Sequence, residues 1–441
     1  MSRINDQHSA SRALPPLAQD RFDVGDTADS LDRLVAAAAA GDDLFRIHAP
    51  GRGADTWITN NPADIKRVLV TNHRNYTKGI GLDRIKILLG NGIMTSEGDL
   101  WRRQRRMIQP CFHRRATEQF GAMIEGCIAA QIPVWETHAA SGTSLDVTAQ
   151  MSELTLSVIL RAIFGTDLEW FNERLGASPF AMVAEESARD LQFAYRFRQL
   201  TRQVAELIEI RRQRGTEQFD FLDMLIGARD KGSGEPMPER VLIDEVMTLI
   251  VAGHETTASA LNWTWYLLAH NAEADARLAA EVASIPADGV LSFADAEALT
   301  YTQAVIKEAL RLYPPGWVLT RRTLEADVLS GFEVPAGTDV IFSPYLIQRH
   351  PRYWQDPERF DPDRFLGAAA AERDPWTYIP FAAGPRHCVG ENFSMYEMTV
   401  HLARMARRWR MEYLFEGPLE IEAAINLRTR GSLHMRLIPR H

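Results

Sequence analysis

One sulfur stands apart by its surroundings. Cys388 lies in Phe381-Ala382-Ala383-Gly384-Pro385-Arg386-His387-Cys388-Val389-Gly390, after the extended approach Thr377-Tyr378-Ile379-Pro380 and before a strongly helical stretch, Glu391 to Arg408. A thiolate at a helix start meets unpaired N–H groups and the positive end of the helix dipole, which favour the charged, metal-ligating form. Gly384 and Gly390 offer backbone angles closed to other residues and let a large flat ligand near the main chain. Arg386 adds a donor for an anionic group on that ligand. A lone cysteine is ordinarily a small buried hydrophobe, and the chain has three, Cys111, Cys127 and Cys388. At Cys388 the Phe, two Gly and Arg in fixed register weigh against that bland reading.

A second constellation lies inside a long apolar helical pattern, at Ala252-Gly253-His254-Glu255-Thr256-Thr257. Burying an acid and two hydroxyls without partners costs a few kcal/mol, and a glycine inside a helix costs about 1 kcal/mol against alanine. Ala252 and Gly253 would let a flat ligand press on the helix. Thr256 can bond a preceding carbonyl, loosening the helix beside a niche for water or dioxygen, with Glu255 gathering protons. The alternative is a kinked helix with a solvated polar patch. A zinc-protease H-E-x-x-H motif fails, because the second histidine position is Ala258. Trp101 and Arg105, four apart, share one helix face, and Glu308 and Arg311 can pair at i,i+3. Either pair alone also fits an ordinary amphipathic or surface role.

Together these segments resemble the cytochrome P-450 superfamily: the cysteine loop F-x-x-G-x-R-x-C-x-G, the helix A-G-x-D/E-T-T/S, the pairs E-x-x-R and W-x-x-x-R, and F-x-P-x-R-F at Phe360 to Phe365. The resemblance implies heme b (iron protoporphyrin IX) with Cys388 as axial thiolate, a ligation known for that family. It implies that Ala252, Gly253, Phe381, Gly384 and Gly390 face the cofactor. Trp101, Arg105 and Arg386 would then reach its propionates, while Glu255 and Thr256 steer protons during dioxygen activation. Of Arg321 and Arg322, the spacing to Asp327 favours Arg322 as a further propionate partner. Glu308, Arg311 and Arg364 would clamp the cysteine loop, with Arg359 a rival for the third place. The activity implied is a monooxygenase that hydroxylates or epoxidises a lipophilic small molecule: a terpenoid, fatty acid, steroid or polyketide. A haem-thiolate peroxygenase or isomerase, or a haem-based sensor, stands as the alternative. With no flavin or ferredoxin segment attached, electrons would come from a ferredoxin or flavodoxin-type donor and its NAD(P)H reductase.

These residues need a large scaffold. The chain has 441 residues, 46% hydrophobic and 24% charged, with no linker or repeat, so one helical unit is expected from 21 to 441 behind a disordered tail, 1–20. The fold class expected is mainly α with small peripheral β-sheets, the P-450 fold with a long central helix over the haem. Glu239 to His270, apolar nearly all round, reads as that buried helix. Helices are also expected at Ser30–Ala40, Pro62–Val70, Glu97–Gln109, Arg115–Thr137, Leu145–Phe164, Met182–Gly227 and Ala298–Tyr313. Short strands are expected at Leu44–Ala49, Asp55–Asn60, Val318–Thr320, Asp339–Phe342 and near Ser432–Ile438. Three irregularly spaced cysteines fit a reducing cytosol. No segment approaches the ~20 apolar residues of a membrane anchor, so a cytoplasmic protein is expected. A net charge of −9 argues against nucleic-acid binding. Arg102, Arg103, Arg106, Arg114 and Arg115 form a local basic cluster that could steer an acidic electron donor. Candidate pocket walls are Tyr76–Met94, Phe180–Phe197, Thr248–Ala252, Trp317–Leu319 and Ala424–Asn426, mostly apolar.

Overall fold

The computed structural model of the protein describes residues 14–175, 180, 191–215, 218–286 and 289–440. Its principal helices are α1 (Ser30–Ala40), α2 (Leu82–Leu89), α3 (Gly98–Ile108), α4 (Gly121–Ser141), α5 (Val147–Phe164), α6 (Leu191–Arg214), α7 (Glu239–Ala269), α8 (Thr300–Leu312) and α9 (Glu391–Ala406), with shorter helical turns between. The strands are β1 (Leu17–Arg21), β2 (Leu44–Ala49), β3 (Ala54–Thr59), β4 (Tyr76–Lys78), β5 (Leu145–Asp146), β6 (Leu319–Thr323), β7 (Asp327–Leu329), β8 (Phe332–Val334), β9 (Asp339–Phe342), β10 (Trp409–Tyr413), β11 (Ile421–Ala423), β12 (Leu427–Thr429) and β13 (His434–Pro439).

The 31 residues of α7 span about 46 Å at 1.5 Å per residue. Leu242 to Val251 and Thr257 to Leu268 are buried throughout, so the apolar residues on all faces are used. α5 packs along α7, while α8 and α9 close its other sides. The stretch Val147–Phe171 is long and apolar enough to cross a membrane, yet 61% of its most apolar window is buried inside the protein, as in a core helix.

A sheet in the order β1-β2-β3-β9-β6-β4 flanks the helices, with smaller groups β10-β13-β5, β11-β12 and β7-β8. Leu17–Arg21, inside the tail expected to be disordered, instead pairs in parallel with β2; residues 1–13 lie outside the described set. The helix expected at Pro62–Val70 stops at Lys66 and continues as a wide turn, Arg67–Thr71. The expected helix Arg115–Thr137 breaks at Phe120 into two, and its second part carries Pro133 internally. Met182–Gly227 resolves into α6 and Phe221–Gly227, with 181–190 and 216–217 outside the described residues.

Candidate functional site

The cysteine loop is a tight turn against the sheet side of the molecule. Cys388 N donates to Phe381 O at 3.0 Å, and His387 N to Gly384 O at 3.0 Å. Gly384 has φ +70°, and a Cβ there would lie 2.2 Å from the Leu69 carbonyl. The left-handed backbone expected at Gly384 is therefore present, and its packing on Leu69 also requires glycine. Gly390, by contrast, has φ −88°, an ordinary angle, and a Cβ would meet only Cys388 Sγ and Phe112, both at 3.9 Å; the special backbone angle expected there is absent. Ala382, at φ +58°, takes the left-handed conformation that sequence reasoning had reserved for glycine.

Cys111 and Cys127 are buried, and burial lifts both thiols, Cys111 to about 12. Cys388 alone is accessible. Protein atoms still surround it, so desolvation raises its pKa, while the N–H groups of Gly390 and Glu391 and the Arg105 guanidinium pull it down. Those N–H groups open α9, whose first turn has no side-chain cap. Among the described residues no group of three or more His, Cys, Asp or Glu gathers to hold a metal ion.

Beside the loop lies a cavity of about 1020 Å³ lined by Lys78, Glu97, Trp101, Arg105, Arg321 and Arg386 among others. Arg386 stacks 3.9 Å above the Trp101 ring, pairs with Glu97 at 2.5 Å and donates to Ser96 O at 2.9 Å. Arg105 Nη1 donates to His387 O at 2.7 Å. Lys78 and Arg321 face each other across the β4–β6 register, an arrangement of like charges that destabilises unless an anion intervenes. Burial pushes Lys78 down to about 7, and Arg321 and Arg386 to about 10. Arg105 is also lowered by burial. Four cations facing one carboxylate make a cradle suited to a ligand bearing acidic groups.

Arg322, the expected member of this cradle, is not in it. Alternation along β6 turns Arg321 inward and Arg322 outward, onto Asp339 of β9 at 2.8 and 3.0 Å. Asp327, the spacing marker, is held by Arg67, Asn72 and Tyr76 instead. Lys78 was not singled out by sequence because β4 is three residues long, and Glu97 because it reads as the first residue of a helix. Glu97 also sits where a helix cap would, yet its carboxylate accepts from Lys78 N at 2.9 Å.

On α7, Ala252 is exposed in the middle of an otherwise buried helix. Thr256 Oγ1 donates to Ala252 O at 2.8 Å, and Asn426 Nδ2 donates to Glu255 Oε2 at 2.8 Å. The expected bond from Thr256 to a preceding carbonyl is thus present, within a segment that stays helical from Glu239 to Ala269. Gly253 faces α5: a Cβ would sit 2.8 Å from Ile159 Cδ1. Its smallness is thus required by helix packing on Ile159. His254 Nε2 lies 2.9 Å from Ser152 Oγ, inside the protein.

The expected clamp is assembled. Arg311 Nε and Nη2 reach both oxygens of Glu308 at 2.7 and 2.8 Å, fully buried. Arg364 Nε lies 3.3 Å from Glu308, whereas the rival Arg359 turns outward to Asp361 at 2.9 Å. Arg311 also donates to Gln348 O, and Gln348 Oε1 accepts from Ile379 N at 2.9 Å, which carries the clamp to the approach of the cysteine loop. The basic cluster is largely paired internally: Arg102 with Asp99, Arg106 with Asp230 and Arg114 with Glu297.

A second cavity, about 930 Å³, runs from Lys78 and Arg321 past Ile80, Ile85, Leu88 and Leu319 to Asp26, Asp83 and Arg322. It draws walls from four expected segments, Tyr76–Met94, Trp317–Leu319, Ala424–Asn426 and, through Phe193, Phe180–Phe197, of which 181–190 lies outside the described residues.

A sequence profile described as Cytochrome P450 matches residues 35–187 and 176–428. The chain belongs to the cytochrome P450 family. It is 34% identical over 425 residues to "Cyclooctatin synthase" of Streptomyces melanosporofaciens, covering 92% of this chain and 91% of that protein. It is 30% identical over 393 residues to "Pentalenene oxygenase" of Streptomyces avermitilis, covering 86% of each. A crystal structure titled as the heme domain of cytochrome P450DA superposes with a TM-score of 0.86 at 23% identity, over 98% of this chain and 99% of that one. The P450 fold and a P450-type monooxygenase activity are thereby shown. The family is one of haem-thiolate enzymes with a cysteine ligand, and the accessible thiol, helix start and cation cradle here fit such a group.

Proposed function

We propose that the chain oxidises a terpenoid, using heme b held by Cys388. The observation that carries the cofactor reading is the cradle: Lys78, Arg105, Arg321 and Arg386 outnumber the single carboxylate Glu97 beside an accessible thiol. Heme b would supply the dioxygen chemistry, and the chain would supply everything that directs it. Cys388 Sγ would hold the group as a thiolate, its negative charge stabilised by the N–H groups that open α9. Trp101 and the four cations would hold the two propionates, Arg386 remaining stacked on Trp101.

On the other side, the exposed Ala252 would offer a smooth helix surface. Glu255 would pass protons toward Thr256, whose hydroxyl now donates to the Ala252 carbonyl and has lone pairs free to accept. The support for a terpenoid is twofold. The second cavity is roomy, about 930 Å³, and mostly apolar, as a hydrocarbon substrate requires, and the printed names of the relatives above include a cyclooctatin synthase and a pentalenene oxygenase. Electrons would come from a separate ferredoxin or flavodoxin-type donor with its NAD(P)H reductase, in the cytoplasm.

The deciding experiment compares wild type with Cys388→Ser. The wild-type ferrous protein should give the red-shifted carbon-monoxide band of a thiolate ligand and turn over terpenes with NADPH, reductase, donor and dioxygen. The serine variant should lose both. Survival of the band in the variant overturns the assignment, and turnover by hydrogen peroxide alone would favour the peroxygenase alternative.

A further inference from the structure

We propose that Asp244 and Glu245, two helical turns ahead of the Ala252–Thr256 stripe on α7, are positioning residues that shape the substrate pocket by holding the 90–96 loop. The proposal rests on reading the apolar cavity as the substrate's.

Both acids are buried, 5% and 0% exposed, where an adjacent carboxylate pair is expensive. Each takes one backbone N–H of the loop: Asn91 N donates to Asp244 Oδ2 and Ile93 N to Glu245 Oε2, both at 2.8 Å. The approach is close enough to require glycine on either side. A Cβ at Gly90 would lie 2.4 Å from the Asp244 carboxylate, and one at Gly92 would lie 2.0 Å from Thr248 Oγ1. Thr248 is itself tied to the Asp244 carbonyl. Arg240 relieves Asp244 at 3.3 Å. Glu245 receives no such relief; burial pushes it up to about 8, and among the described residues its Oε1 is buried without a hydrogen-bond partner. A leucine would be cheaper there, but could not accept from Ile93 N.

The other end of the loop reaches the cysteine side. The Met94 carbonyl accepts from Lys78 Nζ, the Ser96 carbonyl from Arg386 Nη1, and Glu97 pairs with Arg386. Met94 and Lys78 line the apolar cavity. The loop is thus strung between α7 and the cofactor cradle, and the two acids set its tension.

Two azole probes on the holoenzyme separate this role from general stability. Imidazole reaches a haem iron without filling the channel, whereas 1-dodecylimidazole must also occupy it. Glu245→Leu should weaken 1-dodecylimidazole binding about tenfold by Soret titration, the loss expected for one hydrogen bond to a charged or buried acid. It should change imidazole binding less than about twofold, with the carbon-monoxide band retained. Hydrogen exchange of the amides at 91 and 93 should quicken. Glu245→Gln, which keeps the acceptor, should restore both the 1-dodecylimidazole affinity and the slow exchange. Gly92→Ala, which displaces the loop with both acids intact, should reproduce the leucine signature and serves if that variant does not fold. Unchanged 1-dodecylimidazole affinity and exchange, or equal weakening of both azoles, overturns the proposal. Loss of the carbon-monoxide band in the wild type would instead overturn the haem-thiolate reading.

Discussion

Lys78 is the residue whose chemistry is most sensitive to what the cradle holds. Burial, with Arg321 and Arg386 nearby, lowers it from 10.5 to about 7. A depressed lysine favours the fold above its free value of 10.5, and that contribution is lost as pH falls through about 7. Two carboxylates arriving beside it reverse the shift, because they favour the ammonium form. Haem binding to the apoprotein should therefore take up a proton near pH 8, and its affinity should fall as pH rises from about 7 toward 9. Calorimetric titration in two buffers of different ionisation enthalpy reads that proton directly, and Lys78→Met should abolish it. The neighbouring pair on β6 gives a simpler contrast. Arg321→Ala should purify with substantially less haem per protein than wild type, and Arg322→Ala should not, since Arg322 serves Asp339 on the outer face.

At the scale of elements, α5 and α7 meet so closely at Gly253 that a methyl group must displace Ile159. Gly253→Ala should cost about 1–3 kcal/mol by overpacking, read as a lower thermal midpoint with the haem spectrum intact, and Ile159→Val should recover part of the loss. A spectral change with unchanged stability would mean that Gly253 faces the cofactor after all. The motif carrying Gly253 was legible in the sequence; the direction in which the glycine points was not. Legibility followed the length of the pattern. The 31-residue α7 announced itself by burial on all sides, and Glu308, Arg311 and Arg364 by their spacing. Lys78 and the inward turn of Arg321 depend on a strand pairing between two short segments far apart in the chain, which no local periodicity records. Asp244 and Glu245 read as part of an ordinary helix because their partners are main-chain N–H groups, which leave no mark on side-chain pattern.

Over the whole molecule, the net charge of −9 sets an acidic background against which the arginines after Trp101 form a local exception. Much of that exception is already answered by Asp99, Asp230 and Glu297, so the field left for a partner is smaller than the residue count suggests. Reversing Arg102 and Arg106 to glutamate should still slow reduction by an acidic donor and flatten its dependence on ionic strength, because long-range steering follows the summed charge. Stopped-flow reduction across a salt series measures both, and unchanged rates would remove this face from the donor's path.

If Cys388 holds a haem iron as proposed, the packing of Gly384 under Leu69 would bear on how its electron supply is tuned. The sulfur stands four residues beyond a point where the chain presses on a carbonyl of the turn after Lys66, with no room for a side chain between. The helical body supplies the partner N–H groups, but the sheet side acts as the ruler from which the thiolate's reach is measured. A disturbance of that turn, remote from both substrate and oxygen, would be registered at the metal as a change in donor strength.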